Sequence, residues 1–194
     1  DKYGINPLKR QLEELGINVT CRNKFIPDDY KYSSIKQRME LVKGLLDTDG
    51  SINTDGAIEF TNTCEQLVDD LAYVLRSLGI RCQKGIDDRR HQDHEIKGHV
   101  CKRPVTYRLF IRTGKQLFTI ERKADRVKEP RSIKVHIKNI HKKGKTSQTC
   151  IAVDNEDHLF LIKDYVPTHN TLYSGLAEVK YDLVFDGAKV YNEE

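Results

Sequence analysis

The order of helical and extended segments between residues 34 and 126 constrains the fold of this 194-residue chain more than any other feature. Ser34 and Gln37 are spaced as a capping box, which predicts the start of a helix, and Gly50 predicts its end. The following segments are two strands within 51–63 around the turn Asn53-Thr-Asp-Gly56, a helix from the box Thr63-Cys-Glu-Gln66 to Gly79, strands near 80–87 and 104–112, and a helix near 114–126. This order, α-β-β-α-β-β-α, predicts a mixed α/β (α+β) fold.

Shorter signals frame this region. Asn6-Pro7 predicts a helix that ends at Gly16, and 21–29 is expected to be a loop or a short extended piece. Residues 131–167 are again rich in strand-type residues. Alternation along the strand near 104–112 places Val105, Tyr107, Leu109 and Ile111 on one face and Thr106, Arg108, Phe110 and Arg112 on the other.

Composition limits the class of protein. Charged residues make up 32% of the chain, and no apolar run approaches the roughly 18 residues of a membrane-spanning helix, so no membrane partner is expected. The five cysteines are odd in number and scattered, without disulfide or metal-site spacing. A reducing, intracellular (cytoplasmic) setting fits them best.

Charge is unevenly distributed, although the formal net charge is only +4. Residues 126–146 hold eight Lys or Arg against one acid, whereas 171–194 hold five acids against two lysines. This contrast favours a body that faces nucleic acid, joined to a segment of different origin. For the basic run alone, a solvated charged surface is the simpler interpretation.

The segment Val42-Lys-Gly-Leu-Leu-Asp-Thr-Asp49-Gly50 resembles the signature of LAGLIDADG homing endonucleases and differs from it mainly at Val42, Lys43 and Leu46. The resemblance implies that Gly44 lets two such helices approach closely. It also implies that Asp49 meets the equivalent acid of a second copy, where both hold Mg²⁺ for hydrolysis of a DNA phosphodiester. An ordinary polar helix end is the alternative.

The same resemblance implies a double-stranded DNA partner, which would lie on the basic strand residues Arg81, Arg108 and Arg112. Lys24-Phe-Ile-Pro27 matches the element that places a lysine beside the catalytic water in this family, and a lone surface lysine is the alternative. Lys123 is the nearest candidate for the partner lysine. The loop residues His91, His94, His99 and Cys101 could suggest zinc, but their spacing favours a polar or DNA-facing loop.

The triplet His169-Asn170-Thr171 carries a second kind of chemistry. An Asn side-chain amide can attack its own backbone carbonyl, close a succinimide and release the next residue. The neighbouring His169 can protonate the leaving amine, and the Thr171 hydroxyl can accept an acyl group beforehand.

Residues 150–170 closely resemble the C-terminal splicing region of inteins, with no cofactor implied for splicing. His158 falls at the position of an assisting histidine, and Thr168 precedes the terminal pair. Cys150 stands where most inteins carry Asp, which resembles a subclass whose cysteine attacks the upstream junction directly. That subclass also carries a Trp, and this chain has none. A buried strand cysteine is the other interpretation of Cys150.

These resemblances predict three parts: 1–126 as a partial LAGLIDADG endonuclease, 127–170 as the C-terminal part of a Hint-type splicing domain, and 171–194 as a host segment. One nuclease motif is present and Lys24 precedes it, so Asp49 is interpreted as the acid of the second motif. The chain would then be the C-terminal part of an intein, with an N-terminal intein fragment as its partner. A free-standing homodimeric endonuclease and a DNA-binding module without catalysis are the alternatives.

Overall fold

The computed structural model describes residues 6–96, 98–130, 153–154, 156–169, 181–185 and 188–192. The chain divides into two compact units, Asp1–Arg131 and Ser132–Glu194. Throughout the described ranges, every helix is too short or insufficiently apolar to traverse a lipid bilayer.

The first unit contains the predicted mixed α/β pattern. Its elements in chain order are α1 (Pro7–Glu14), α2 (Asp28–Lys31), α3 (Ile35–Asp49), β1 (Gly50–Ile52), β2 (Ile58–Asn62), α4 (Glu65–Ser77), β3 (Arg81–Asp87), β4 (Asp93–Ile96), β5 (His99–Lys102), β6 (Thr106–Arg112) and α5 (Glu121–Ala124).

The first unit is built on a four-stranded antiparallel sheet in the order β1-β2-β6-β3. One face of the sheet supplies Phe60, Leu109 and Ile111, which are fully buried in the core with residues of α3 and α4. Helix α4 buries most of its length there, because apolar residues recur at helical spacing. The predicted alternation on β6 is confirmed, since Leu109 and Ile111 are buried while Phe110 and Arg112 are exposed.

The predicted start of α3 is confirmed in detail. The Ser34 side chain accepts from the Gln37 backbone N–H, and the Gln37 side chain accepts from the Ser34 N–H, so both halves of the capping box form. Such a cap stabilises a helix by about 1 kcal/mol. The predicted Asn53–Gly56 turn joins β1 to β2, with the Asn53 side chain accepting from the N–H groups of Asp55 and Ala57.

Two predicted helix features are wrong. The box at Thr63–Gln66 does not form: Cys64 caps α4 without a side-chain bond, and Gln66 instead donates to Asp70 in the next turn. The helix predicted near 114–126 is reduced to Glu121–Ala124. Tertiary contacts override local propensity there, because Leu117 and Phe118 are buried in the core.

Two connections hold more structure than predicted. The segment predicted as a loop at 21–29 leads into the four-residue helix α2. The polar stretch between β3 and β6 contains the antiparallel hairpin β4–β5. Its turn includes Gly98 at φ +80°, a backbone conformation that favours glycine.

The second unit is described as two hairpins. Strand β7 (Leu159–Ile162) pairs with β8 (Val166–His169) through a 3-10 turn, and β9 (Tyr181–Phe185) pairs with β10 (Ala188–Asn192). Strand texture in the described part of 131–167 agrees with the sequence prediction. The boundaries predicted at 126 and 170 remain predictions.

Candidate nuclease and splicing sites

Helix α3 places Asp49 on the surface at its last turn. Val42 and Leu46 of the same helix are fully buried and hold it against the core, while Asp49 is exposed. The chain then bends sharply into β1 at Gly50. A Cβ atom at Gly50 would lie 2.5 Å from the Leu46 carbonyl oxygen, so only glycine allows this close approach. The predicted stop at Gly50 is therefore confirmed, through close packing and not through positive φ.

Lys123 donates hydrogen bonds to the same end of the helix. Its side chain is only 7% exposed, and its ammonium donates to the carbonyl oxygens of Leu46, Asp47 and Gly50 at 2.9, 2.7 and 2.7 Å. The last carbonyls of a helix lack partners within the helix and carry partial negative charge, so a cation satisfies both needs. These three bonds join Lys123 to the end of α3, and its candidate role as the partner lysine remains a prediction.

Asp47 is bound by residues of the same segment that carries Lys123. Its carboxylate accepts from the backbone N–H groups of Thr119 and Ile120 and from the Thr119 hydroxyl. Burial acts to raise the pKa of Asp47, but the bonds from Thr119 and Ile120 outweigh it and the pKa is lowered. Of the two acids in this motif, Asp47 is therefore hydrogen-bonded within the chain, whereas Asp49 is exposed at the surface.

One side of α3 is exposed and carries a glycine near its middle. Gln37, Gly44 and Thr48 are exposed along it, with Leu41 and Leu45 half-buried beside them. A Cβ atom at Gly44 would meet nothing within 4 Å. Gly44 therefore leaves room for the close approach of another backbone.

The segment around Lys24 is anchored to α4 by buried polar groups. Ile26 is buried, and its N–H donates to Asp70 at 2.8 Å. The thiol of Cys64 donates to the Lys24 carbonyl at 3.0 Å. Lys24 itself is exposed, so its backbone is fixed while its side chain remains at the surface.

Asp70 is only 5% exposed and is the centre of this anchor. In addition to Ile26 it accepts from Gln66, and it forms an ion pair with Lys31 at 3.0 Å. Burial acts to lower the pKa of Lys31, but bonds to Asp70 and Asp28 prevail and raise it.

The sheet face opposite the core carries the three predicted DNA-contacting arginines. Arg81 of β3 and Arg112 of β6 are directly opposite in the register. Arg108 lies between two acids, 2.5 Å from Asp87 and 3.6 Å from Glu59. A hydrogen bond from Arg89, with help from Arg108, lowers the pKa of Asp87. This face is therefore an ordered mixture of charges and not a uniformly basic surface.

The described residues contain no group of three or more His, Cys, Asp or Glu that could hold a metal ion. The register of β4–β5 places His94 opposite Cys101, with His99 in the same hairpin. The expectation that this segment is polar or faces DNA remains a prediction. For Mg²⁺, Asp49 offers one carboxylate in the described part of the chain, so a complete site requires oxygen ligands from elsewhere.

In the second unit, strands β7 and β8 pair antiparallel, and His169 lies at the end of the hairpin away from the turn. Leu159 pairs with His169 and Phe160 with Thr168. His158 precedes Leu159 with φ +51°, and its Nδ1 lies 3.4 Å from the Val153 carbonyl. A proton on Nδ1 would donate to that carbonyl and leave Nε2 as the acceptor.

Most of the other predicted splicing residues lie outside the part of the chain that the structure describes. Cys150, Asn170 and Thr171 lie outside the described residues, and His169 is described by its backbone alone.

Comparison with known proteins gives one family match and one relative. Residues 36–123 match the family model of the LAGLIDADG-like domain. The chain is also 33% identical over 174 residues to a protein described as the replicative DNA helicase DnaB of Mycobacterium intracellulare. That alignment covers 86% of this chain and 28% of the helicase.

The contacts of three residues within 36–123 were not foreseen from sequence. Asp70 had a signal, because an acid interrupts the apolar stripe of α4 beside Leu67 and Leu71. Lys123 was named as a candidate second lysine, but the sequence gave no signal for its bonds or for those of Asp47, since their partners are 72 to 77 positions away in the chain.

Proposed function

We propose that this chain is the C-terminal part of an intein that carries half of a LAGLIDADG homing endonuclease. Splicing would cut the chain after Asn170 and join residue 171 onward to an upstream host segment. The relative is a replicative helicase, and a homing-endonuclease-type domain has no evident role in unwinding DNA. An intervening sequence inserted in a host protein accounts for both the similarity to a helicase and the LAGLIDADG-like match. A free-standing endonuclease accounts only for the LAGLIDADG-like match.

The register of the β7–β8 hairpin carries the splicing proposal. Because Leu159 pairs with His169, His158 lies at the end of the hairpin where the chain proceeds to Asn170. In the proposed mechanism His158 and His169 would both act on the peptide bond that follows Asn170, and the register of this hairpin supports that assignment. Proton transfer by a positioned histidine is a common source of rate enhancement.

The chemistry proposed at this end uses Asn170, His169 and Thr171 of this chain and an acyl group from the upstream host segment. The Asn170 side-chain nitrogen attacks the Asn170 backbone carbonyl carbon, a succinimide ring closes, and the peptide bond to Thr171 breaks. His169 supplies the proton that the departing Thr171 amine requires. In the preceding step the Thr171 hydroxyl accepts the upstream acyl group, which becomes an amide by transfer to the freed amine.

The nuclease proposal rests on the end of α3. Asp49 would hold Mg²⁺ together with an acid from the missing half, and the ion would activate water and stabilise the leaving oxygen. The outward side of α3, with Gly44 open, would receive the matching helix. Lys24 would assist the attacking water, and the sheet face with Arg81, Arg108 and Arg112 would lie on double-stranded DNA.

Mass spectrometry of the full chain with and without an N-terminal intein partner tests splicing. We expect a ligated product only in the mixture, because Asn attack follows the upstream acyl shift. Asn170→Ala should abolish release of 171–194, and His169→Ala should slow it by about 10²-fold or more. Cys150→Ala should block upstream cleavage if the thiol attacks directly and only weaken it otherwise. Release that is equal with and without the partner, or absent in both, contradicts the proposal.

A further inference from the structure

Asp70 is a buried acid among the apolar side chains that α4 packs into the core. A carboxylate in such surroundings is unfavourable unless hydrogen-bond donors replace the water that it loses. Its Oδ1 is 2.9 Å from the amide nitrogen of Gln66 and 3.0 Å from the ammonium of Lys31. Its Oδ2 accepts from the N–H of Ile26 at 2.8 Å. Two of its three donors therefore come from a segment that is distant in the chain.

The two bonds from Asp70 to that segment attach at both ends of helix α2. Ile26 lies just before this helix, and Lys31 is its last residue. The Lys31 side chain is only 16% exposed, so water screens its ion pair with Asp70 weakly. A helix of four residues is not stable by itself in water. The position of α2 therefore depends on these bonds and on the burial of Ile26.

Cys64, which caps the start of α4, provides a further attachment for the same segment. Its buried thiol lies 3.2 Å from the carbonyl oxygen of Arg22 and 3.0 Å from that of Lys24. The backbone of Lys24 is thus bonded at its own carbonyl and again two residues later at the N–H of Ile26. The Lys24 side chain is exposed, so the fold restrains the backbone and leaves the ammonium free to reach a ligand.

We propose that Asp70 is a positioning residue that fixes the backbone of Lys24 and thereby sets the region that the Lys24 ammonium can reach. The inference rests on the proposed nuclease function, in which Lys24 assists the attacking water. Asp70 is buried and acts on the reaction only through Ile26 and Lys31. A small displacement of a catalytic group lowers the rate strongly, so the loss of a distant backbone bond is expected to slow the chemical step.

A matched control lies one position earlier in α4. Asp69 also forms a lysine pair, with the ammonium of Lys84 at 2.6 Å. Asp69 is exposed, however, and Lys84 belongs to β3 and not to the segment that carries Lys24. Asp69→Asn therefore removes an acid–lysine pair from the same turn of the helix and leaves the bonds to the Lys24 segment in place.

Amide hydrogen exchange at Ile26 in the full chain tests the attachment without reference to catalysis. Asp70→Asn keeps the size of the side chain but removes its charge and replaces one acceptor oxygen by a donor. It should accelerate exchange at Ile26 by at least about tenfold relative to amides of α4, and Asp69→Asn should leave it unchanged. Addition of Lys31→Met to Asp70→Asn should reverse part of the acceleration, because no unpaired cation then remains.

Unchanged exchange at Ile26 in Asp70→Asn overturns the inference. Acceleration that extends equally through α4 also overturns it, because it would show a general loss of stability.

The second readout is cleavage of DNA by the full chain combined with a segment that supplies the first nuclease motif. The substrate is duplex DNA that this assembly selects from a random-sequence library. Asp70→Asn should lower kcat by about tenfold or more and change KM by less than about threefold. In the Lys24→Met chain, Asp70→Asn should lower kcat by less than about twofold, because no ammonium is left to misplace. Equal losses in the two chains overturn the positioning role.

The two readouts separate the failure of this inference from the failure of the proposed function. A wild-type kcat in Lys24→Met contradicts the role that the nuclease proposal gives to Lys24, and exchange at Ile26 then decides the attachment by itself. Should Asp70→Asn fail to fold, Cys64→Ala carries both readouts, because it removes the thiol's bonds to the same segment. Cys64→Ser, which retains a donor, should restore both quantities towards the wild type.

Discussion

The end of α3 and the β7–β8 hairpin are built in different ways. Around Asp49, the stabilising bonds join residues 72 to 77 positions apart, above a core in which Leu46 is fully buried. In the hairpin, the described bonds join residues close in sequence. Leu159 and Leu161 of β7 are 40% and 61% exposed there.

This difference separates what each region needs. Contacts between distant residues fix the backbone of Asp49 within the first unit, so the acid is positioned before any partner arrives. An isolated two-stranded hairpin is marginally stable in water, and apolar side chains on it gain little until another segment covers them. We therefore expect the first unit to be preformed and the β7–β8 hairpin to depend on further segments, which under the proposed function belong to the intein.

The largest expected effect concerns the preformed acid. In the chain combined with a segment that supplies the first nuclease motif, Asp49→Asn should abolish Mg²⁺-dependent cleavage of target DNA. Removal of the carboxylate eliminates a metal ligand, while DNA affinity should change by less than about threefold because phosphate contacts are made elsewhere. Cleavage and gel-shift assays on the same samples measure both quantities. Asp55→Asn, in the exposed β1–β2 turn, is the control.

Cleavage that survives Asp49→Asn would show that the acid is not the metal ligand. A parallel loss of DNA binding would indicate a structural fault and not loss of the metal site.

A matched pair of leucines compares the two regions directly. Leu46→Ala should lower the free energy of unfolding of the first unit by about 2–5 kcal/mol, since a fully buried side chain leaves a cavity. Leu161→Ala should change the stability of its own unit by less than about 0.5 kcal/mol. Amide exchange measured at increasing urea concentrations gives the free energy of unfolding of each unit from the exchange of its own amides.

Addition of an N-terminal intein partner should increase the cost of Leu161→Ala and leave that of Leu46→Ala unchanged. If the Leu161→Ala cost is large in the chain alone, the hairpin is already covered and the contrast between the regions is wrong.

Local signals predicted well where the structure is local. The capping box at Ser34, the turn at Asn53 and the alternation along β6 depend on residues within a few positions, and each is confirmed. The helix predicted near 114–126 was wrong because contacts that no sequence window contains fix the residues before Glu121. Leu117 and Phe118 are buried in the core, and Asp47 accepts from the N–H groups of Thr119 and Ile120. The similarity of residues 36–123 to the LAGLIDADG-like family could be recognised from the motif, but the groups that bond to the end of α3 could not.

The smallest expected effect is a difference in acid sensitivity at the helix end. Hydrogen bonds from Thr119 and Ile120 outweigh burial and lower the pKa of Asp47 below its ordinary value of 3.8. A carboxyl whose pKa is lower in the folded state stabilises the fold above its ordinary pKa, and this stabilisation is lost as pH falls through the lower folded value. Wild-type stability should therefore decrease more steeply below about pH 4 than that of Asp47→Asn. Urea unfolding at a series of pH values measures the two slopes, with Asp55→Asn as an exposed control. Equal slopes for wild type and Asp47→Asn would mean that the Asp47 bonds do not contribute to the stability of the first unit.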